Sequence, residues 1–160
     1  MQNNLEVCFG ILLSVSSLYG QVNGPKLPAQ QDAPLKLINT ISLSSAIKGH
    51  FDHFGVDVKH NRLFATPEDF KAVLVFNLNT GEMVHQIDGL IRPHAVLYRE
   101  DLNRIYVTDG GDGTLKIYDG DTYNLRKSIK LMKDADSIGY DPSRHYLYID
   151  NGGGDVGQTY

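Results

Sequence analysis

An all-β fold, a β-propeller of four-stranded antiparallel blades, is what this sequence predicts, and three observations predict it. The chain matches itself at a single offset of 42 residues; the apolar residues of each repeat fall in four short runs rich in β-branched and aromatic side chains; and Gly, Asn, Asp and Pro break those runs. No 11-residue window carries a helical stripe. Four short strands in a unit of about 40 to 45 residues is what a propeller blade requires.

The elements follow in order. Val7 to Leu18 is an apolar run of 12 residues, the length of a signal-peptide core and short of the roughly 20 needed to span a bilayer. Residues 1–20 are therefore expected to be a signal peptide cleaved after Gly20, and no transmembrane span is expected. The only cysteine, Cys8, lies inside that run, so cleavage leaves a domain without disulfides, thiol catalysis or cysteine zinc sites. The expected location is the periplasm or the cell exterior. Residues 21–34 form a polar, Pro-containing linker. Residues 35–43 (Leu35 to Leu43) read as a strand of fourth-position type, a latch able to complete the last blade of a closed ring and remove free edges.

Blades are expected over residues 49–90 and 91–132, with an incomplete one over 133–160. Asn61-Arg62-Leu63-Phe64-Ala65-Thr66 falls on Asn103-Arg104-Ile105-Tyr106-Val107-Thr108, and Tyr146-Leu147-Tyr148-Ile149 continues from the position of Arg104. Phe54, Val96 and Ile138 form one column, and Asp57, Arg99 and Asp141 another. In the first blade the strands are read as Phe54 to Val58, Arg62 to Thr66, Ala72 to Asn77 and Met83 to Ile87. In the second they are Ala95 to Tyr98, Arg104 to Thr108, Thr114 to Asp119 and Leu125 to Leu131. Asn79-Thr80-Gly81 and Asp119-Gly120-Asp121 supply the turns between third and fourth strands, because these residues tolerate left-handed backbone and bond their own main chain. Asp109-Gly110-Gly111-Asp112-Gly113 reads as a hairpin turn and not a phosphate loop, since a strand follows it where an anion site needs a helix N-terminus.

Tyr106-Val107-Thr108-Asp109, then Gly110-Gly111-Asp112-Gly113, then the alternating run Thr114 to Asp119 resembles the YVTN-repeat β-propellers, also called YncE-like. The likeness covers about residues 35 to 160. The first blade departs from the motif with Leu63-Phe64-Ala65-Thr66-Pro67, and the third has Tyr148-Ile149-Asp150-Asn151. The resemblance implies roughly seven blades in an intact ring, of which about two and a half are present, and so an N-terminal fragment of a longer protein. An arc ending at Tyr160 is expected to expose an apolar blade face. The motifs of this family are structural and imply no shared catalytic residue. A WD-repeat reading lacks its signature, since the chain contains no Trp.

The 15 basic and 19 acidic residues are interspersed and give a formal charge of −4, so the basic field that nucleic acid demands is absent. Propellers carry their chemistry on loops at one end of a central channel. The residues just before each innermost strand should reach that mouth: His50, Asp52 and His53, then Arg92 and His94, then Asp134 and Asp136. His50, Arg92 and Asp134 are one column of the repeat, and Asp52, His94 and Asp136 another. This polar cluster is read as a ligand-binding mouth for a small polar molecule or a cell-envelope protein, with Asp52, Arg92, His94 and Asp136 as the main contacts. The alternative is a lactonase-like, metal-assisted hydrolase; a purely structural role is the third reading. His50-x-Asp52-His53 carries zinc-compatible ligand types but reads as a polar turn, so neither a metal nor a cofactor is expected. No nucleophile-elbow serine, metalloprotease histidine pair or haem-attachment motif is present. His60, His85 and His145 share no column and receive no role.

Overall fold

The computed structural model describes residues 35–152. The expected signal peptide and linker lie outside the described residues, as does the chain after Gly152. The chain divides into two units, Met1–Ser45 and Ala46–Tyr160. In the described part of the first, the strand expected over residues 35–43 is not formed: a single bridge at Ser42 is the only ladder feature there, and Leu35, Leu37 and Ile38 are exposed. An apolar run with β propensity does not make a strand without a ladder to hold its main-chain groups.

The second unit is built from ten strands: β1 (Phe51–Asp57), β2 (Arg62–Pro67), β3 (Val73–Asn77), β4 (Met83–Ile87), β5 (Pro93–Arg99), β6 (Arg104–Asp109), β7 (Thr114–Asp119), β8 (Leu125–Lys130), β9 (Ala135–Asp141) and β10 (Tyr146–Asn151). They form two four-stranded antiparallel sheets, ordered β1-β2-β3-β4 and β5-β6-β7-β8, and a two-stranded sheet of β9 and β10. The one helical segment among the described residues is a single 3-10 turn, Glu68–Phe70, between β2 and β3. No helix among them is long and apolar enough to cross a membrane.

The repeat seen in the sequence is a repeat in backbone geometry. Asn61, Asn103 and His145, one column, all take positive φ in the turn after the first strand of their sheets; asparagine tolerates that conformation better than most residues. Each first strand carries an irregularity at the same place. Between the pairs Phe51↔Pro67 and Phe54↔Ala65, two residues of β1 (Asp52, His53) oppose one of β2 (Thr66). His94 and Ala95 oppose Thr108 in the second sheet, and Asp136 and Ser137 oppose Asp150 in the third. These are β-bulges, which bend a strand and re-aim a side chain.

Successive sheets stack face to face, with β5 beside both β1 and β9. One core joins Phe64, Val73, Val75 and Ile87 of the first sheet, with Leu90 of the connection that follows it, to Val96, Tyr98, Ile105, Val107 and Tyr118 of the second. A second core joins Tyr106 and Leu115 of the second sheet to Ala135 and Ile149 of the third. Ile105 and Val107 face one neighbour while Tyr106 faces the other, as a period of two dictates for a sheet buried on both sides. Gly55 stands where β1 crosses β5, and a Cβ there would lie 2.8 Å from the Val96 carbonyl oxygen.

Polar clips join the sheets at both ends of β2. At its start Arg62 donates to Asp57 at 2.8 Å, to the Gly120 carbonyl at 2.6 Å and to the Tyr123 hydroxyl at 2.9 Å. Near its end the Thr66 hydroxyl accepts from the His53 N–H at 3.0 Å and donates to the His94 carbonyl at 2.6 Å, across the sheet boundary. One repeat on, the Thr108 hydroxyl accepts from the Ala95 N–H at 2.8 Å and donates to the Asp136 carbonyl at 2.5 Å. The threonine of the Tyr-Val-Thr run is thus the link from one bulge to the next. Asp150 takes the third position in this column and accepts from the Ser137 N–H at 2.8 Å.

Candidate functional site

Because the three bulges are linked through Thr66 and Thr108, their first residues come together. Asp52, His94 and Asp136 each offer a ligating atom, and these atoms lie within 4.8 Å of one another. The sequence placed these residues in loops ahead of the strands. Instead they stand inside the strands, which begin earlier than the apolar pattern suggested, at Phe51, Pro93 and Ala135. A bulge interrupts period-two alternation, so a polar residue in a strand reads as a loop residue.

His94 is the buried centre of the group, its side chain only 5% exposed. Its Nδ1 lies 2.6 Å from Asp52 Oδ2 and 3.9 Å from Asp136 Oδ1, while Nε2 faces Asp134 Oδ1 at 3.4 Å. Arg92 forms the rim: Nε donates to Glu68 Oε2 at 2.8 Å, and Nη1 approaches Asp134 Oδ1 at 3.4 Å. His53 Nδ1 lies 2.9 Å from Asp52 Oδ1. The structure therefore gathers Asp52, His53, Arg92, His94, Asp134 and Asp136. His50 is exposed and lies outside the triad of ligating atoms; its main-chain carbonyl accepts from the Glu68 N–H at 3.2 Å.

The electrostatics follow from burial and crowding. Burial pushes the Asp136 carboxyl above the ordinary aspartate range; His94 draws it down, and Asp52 and Asp150 push it up again. The hydrogen bond to Glu68 holds the Arg92 guanidinium still more firmly in its charged form.

Two acidic groups of the site were not singled out in the sequence, Glu68 and Asp150. Glu68, Gly110 and Gly152 occupy one column of the repeat, so the signal was a carboxylate where the other repeats have glycine. The 3-10 turn that replaces the glycine-rich hairpin brings Glu68 Oε2 within 4.0 Å of His94 Nδ1. Gly110 has the complementary task. A Cβ on it would lie 2.5 Å from His94 Cδ2 and Nε2 and 3.2 Å from the Asp134 Cα. Gly110→Ala is expected to displace the imidazole and destabilise the fold by about 1–3 kcal/mol, as overpacking does. Urea unfolding checks this, and an unchanged midpoint would show that His94 does not pack there.

A second polar system underlies the rim. Asp109, fully buried, accepts from the Ile91 and Arg92 N–H groups at 2.9 and 2.8 Å and from Lys116 Nζ at 2.5 Å. It fixes the segment that leads into β5. In the third sheet Asn151 does the equivalent work, donating to the Met132 and Lys133 carbonyls at 2.9 and 3.0 Å. Pro67 stands at that position in the first sheet and supplies no such bond.

No family model matches the chain, and no curated protein matches it. Among solved structures the chain is similar to the hydrazine synthase of Kuenenia stuttgartiensis, with a TM-score of 0.58 and 18% identity over 63% of this chain and 29% of that one. It is also similar to Sqt1 of Saccharomyces cerevisiae, with a TM-score of 0.58 and 6% identity over 74% of this chain and 32% of that one. The chain thus spans about a third or less of the length of these structures. At such identities the likeness shows architecture alone: four-stranded antiparallel sheets arranged as in part of a β-propeller.

Proposed function

We propose that this chain belongs to an exported binding module of the YVTN-repeat type, which holds a small polar ligand or a loop of a cell-envelope protein at the mouth built by Asp52, Arg92, His94 and Asp136. One observation carries the reading: three successive sheets each aim the first residue of a bulge at one point, and all three residues are ionisable. The floor of two carboxylates and an imidazole suits hydrogen-bond donors or positive charge, whereas Arg92 at the rim, 53% exposed, suits an acceptor. A ligand with both, such as an amino-acid zwitterion, matches the distribution. The metal-assisted hydrolase named above as the alternative depends on a metal at the same floor.

Amide chemical shifts recorded while the chain is titrated with a panel of amino acids, polyols and small ammonium compounds test this. At least one class is expected to move the signals of residues 52, 92–94, 110 and 134–136 together. Arg92→Ala and Asp136→Asn should weaken that response at least tenfold, with Arg92→Ala moving stability by no more than about 0.5 kcal/mol, as exposed positions do. No response from the panel, or one that survives both substitutions, would remove the mouth as a ligand site.

A further inference from the structure

We infer that Asp52, His94 and Asp136 form a binding site for one divalent ion of the zinc class, which none of the comparisons assigns. The geometry is the first support. Zinc binds nitrogen and carboxylate oxygen at about 2.0–2.2 Å in tetrahedral geometry, which sets two donors on one ion about 3.4 Å apart. The 3.9 Å between His94 Nδ1 and Asp136 Oδ1 and the 2.6 Å between His94 Nδ1 and Asp52 Oδ2 bracket that span. Seating the ion closes the first by about 0.5 Å and opens the second by about 0.8 Å, as the ion takes the place of the proton there.

Unsatisfied buried atoms are the second support, independent of the first. Among the described residues the buried atoms His94 Nε2 and Asp136 Oδ1 lack a hydrogen-bond partner, and both are here. Buried polar atoms are nearly always satisfied, so a cluster of exceptions calls for an ion, a water or a ligand. An ion on His94 Nδ1 settles the imidazole in a single tautomer. Nε2 then carries the proton and stands 3.4 Å from Asp134 Oδ1, an ion-pair approach without a formed hydrogen bond. Asp136 Oδ1 gains its missing partner in the same step.

Charge agrees. Arg92 is engaged with Glu68 and Asp134, which leaves Asp52 and Asp136 facing each other with only imidazoles beside them. Two carboxylates and one nitrogen favour a borderline ion such as zinc over calcium, which takes six to eight oxygens. Three protein ligands leave a coordination position open toward the rim.

The test is calorimetric titration of the chelator-treated chain with zinc chloride, in buffer holding excess calcium. One equivalent of zinc should bind, and Asp52→Asn and Asp136→Asn, near-isosteric changes whose folding is checked by circular dichroism, should each weaken binding at least tenfold. His145→Ala, a histidine near neither carboxylate, should change nothing. Cobalt in place of zinc should give visible absorption bands that change in His94→Gln. Substoichiometric zinc, equal affinity in the folded Asp52→Asn and Asp136→Asn variants, or displacement by calcium would each overturn the inference. The titration contains no organic ligand, so its failure leaves the polar-ligand reading standing, and failure of the amide-shift test leaves this one.

Discussion

Replacing Asp109 with alanine is expected to destabilise the fold by about 3–5 kcal/mol, the cost of breaking a buried ion pair from one side. Lys116 is 9% exposed and would keep only the half-exposed Asp112, at 3.1 Å, as its counter-ion. The Ile91 and Arg92 N–H groups would lose their acceptor as well. Equilibrium urea unfolding measures the loss, and adding Lys116→Met should recover part of it, because the stranded ammonium is then gone. A loss below about 1 kcal/mol would show that the pair is not buried as described. The same pair predicts a pH dependence. Burial is the largest single influence on the Asp109 carboxyl and pushes its pKa up, but Lys116 and the two backbone N–H groups together outweigh it, so the carboxyl titrates below the ordinary aspartate range. A carboxylate depressed in this way adds stability above its unfolded pKa of about 3.9, and that stability is lost as the pH falls through the folded value. The advantage of the native chain over Asp109→Asn should therefore be full at neutral pH and shrink below about pH 4.

Thr108→Val should cost about 2–4 kcal/mol although it changes neither shape nor volume much. The hydroxyl serves two main-chain groups, the buried Ala95 N–H and the part-buried Asp136 carbonyl, and leaving one buried group unpaired costs about 1–3 kcal/mol. The loss differs in kind from that at Asp109, because it releases the third sheet from the second at the point where Asp136 is positioned. Thr108→Ser keeps the hydroxyl and should recover most of the stability. If valine and serine behave alike, the hydroxyl is not the link between sheets.

The strands and the order of the blades were legible because period-two burial, β-branched residues and turn chemistry all acted at the same 42-residue spacing that relates Asp52 to His94. The column Asp52, His94, Asp136 was legible as a polar exception within that spacing. Its setting was not. A bulge adds one residue to a strand, and in sequence Asp52 and His53 look like the end of a loop, so His94 was expected in solvent where it is in fact buried. The Asp109 and Lys116 pair was hidden for a related reason: in an alternating strand such as Thr114 to Asp119, nothing local marks its one lysine as turning inward. Glu68 depends on Pro67, which replaces a hydrogen-bonding residue and lets the chain turn as a 3-10 segment. Residues 35–43 carry a local β preference but have no ladder to join in this chain, where the blade that a latch would complete is not present among the described residues.

The bulges separate two properties that most binding sites entangle. Thr66 and Thr108 reach across to the main-chain carbonyls of His94 and Asp136, atoms that any amino acid would supply at those positions. These main-chain links do not depend on which side chain the column carries, whereas His94 and Asp52 add a side-chain bond of their own across the same boundary. Mutation can rewrite what each successive unit contributes to the shared point, aspartate in one and histidine in another, while the threonine links stay in place. Duplication of such a unit multiplies sockets before it specifies their contents, and chemical novelty at this point becomes a matter of exchanging one side chain per copy.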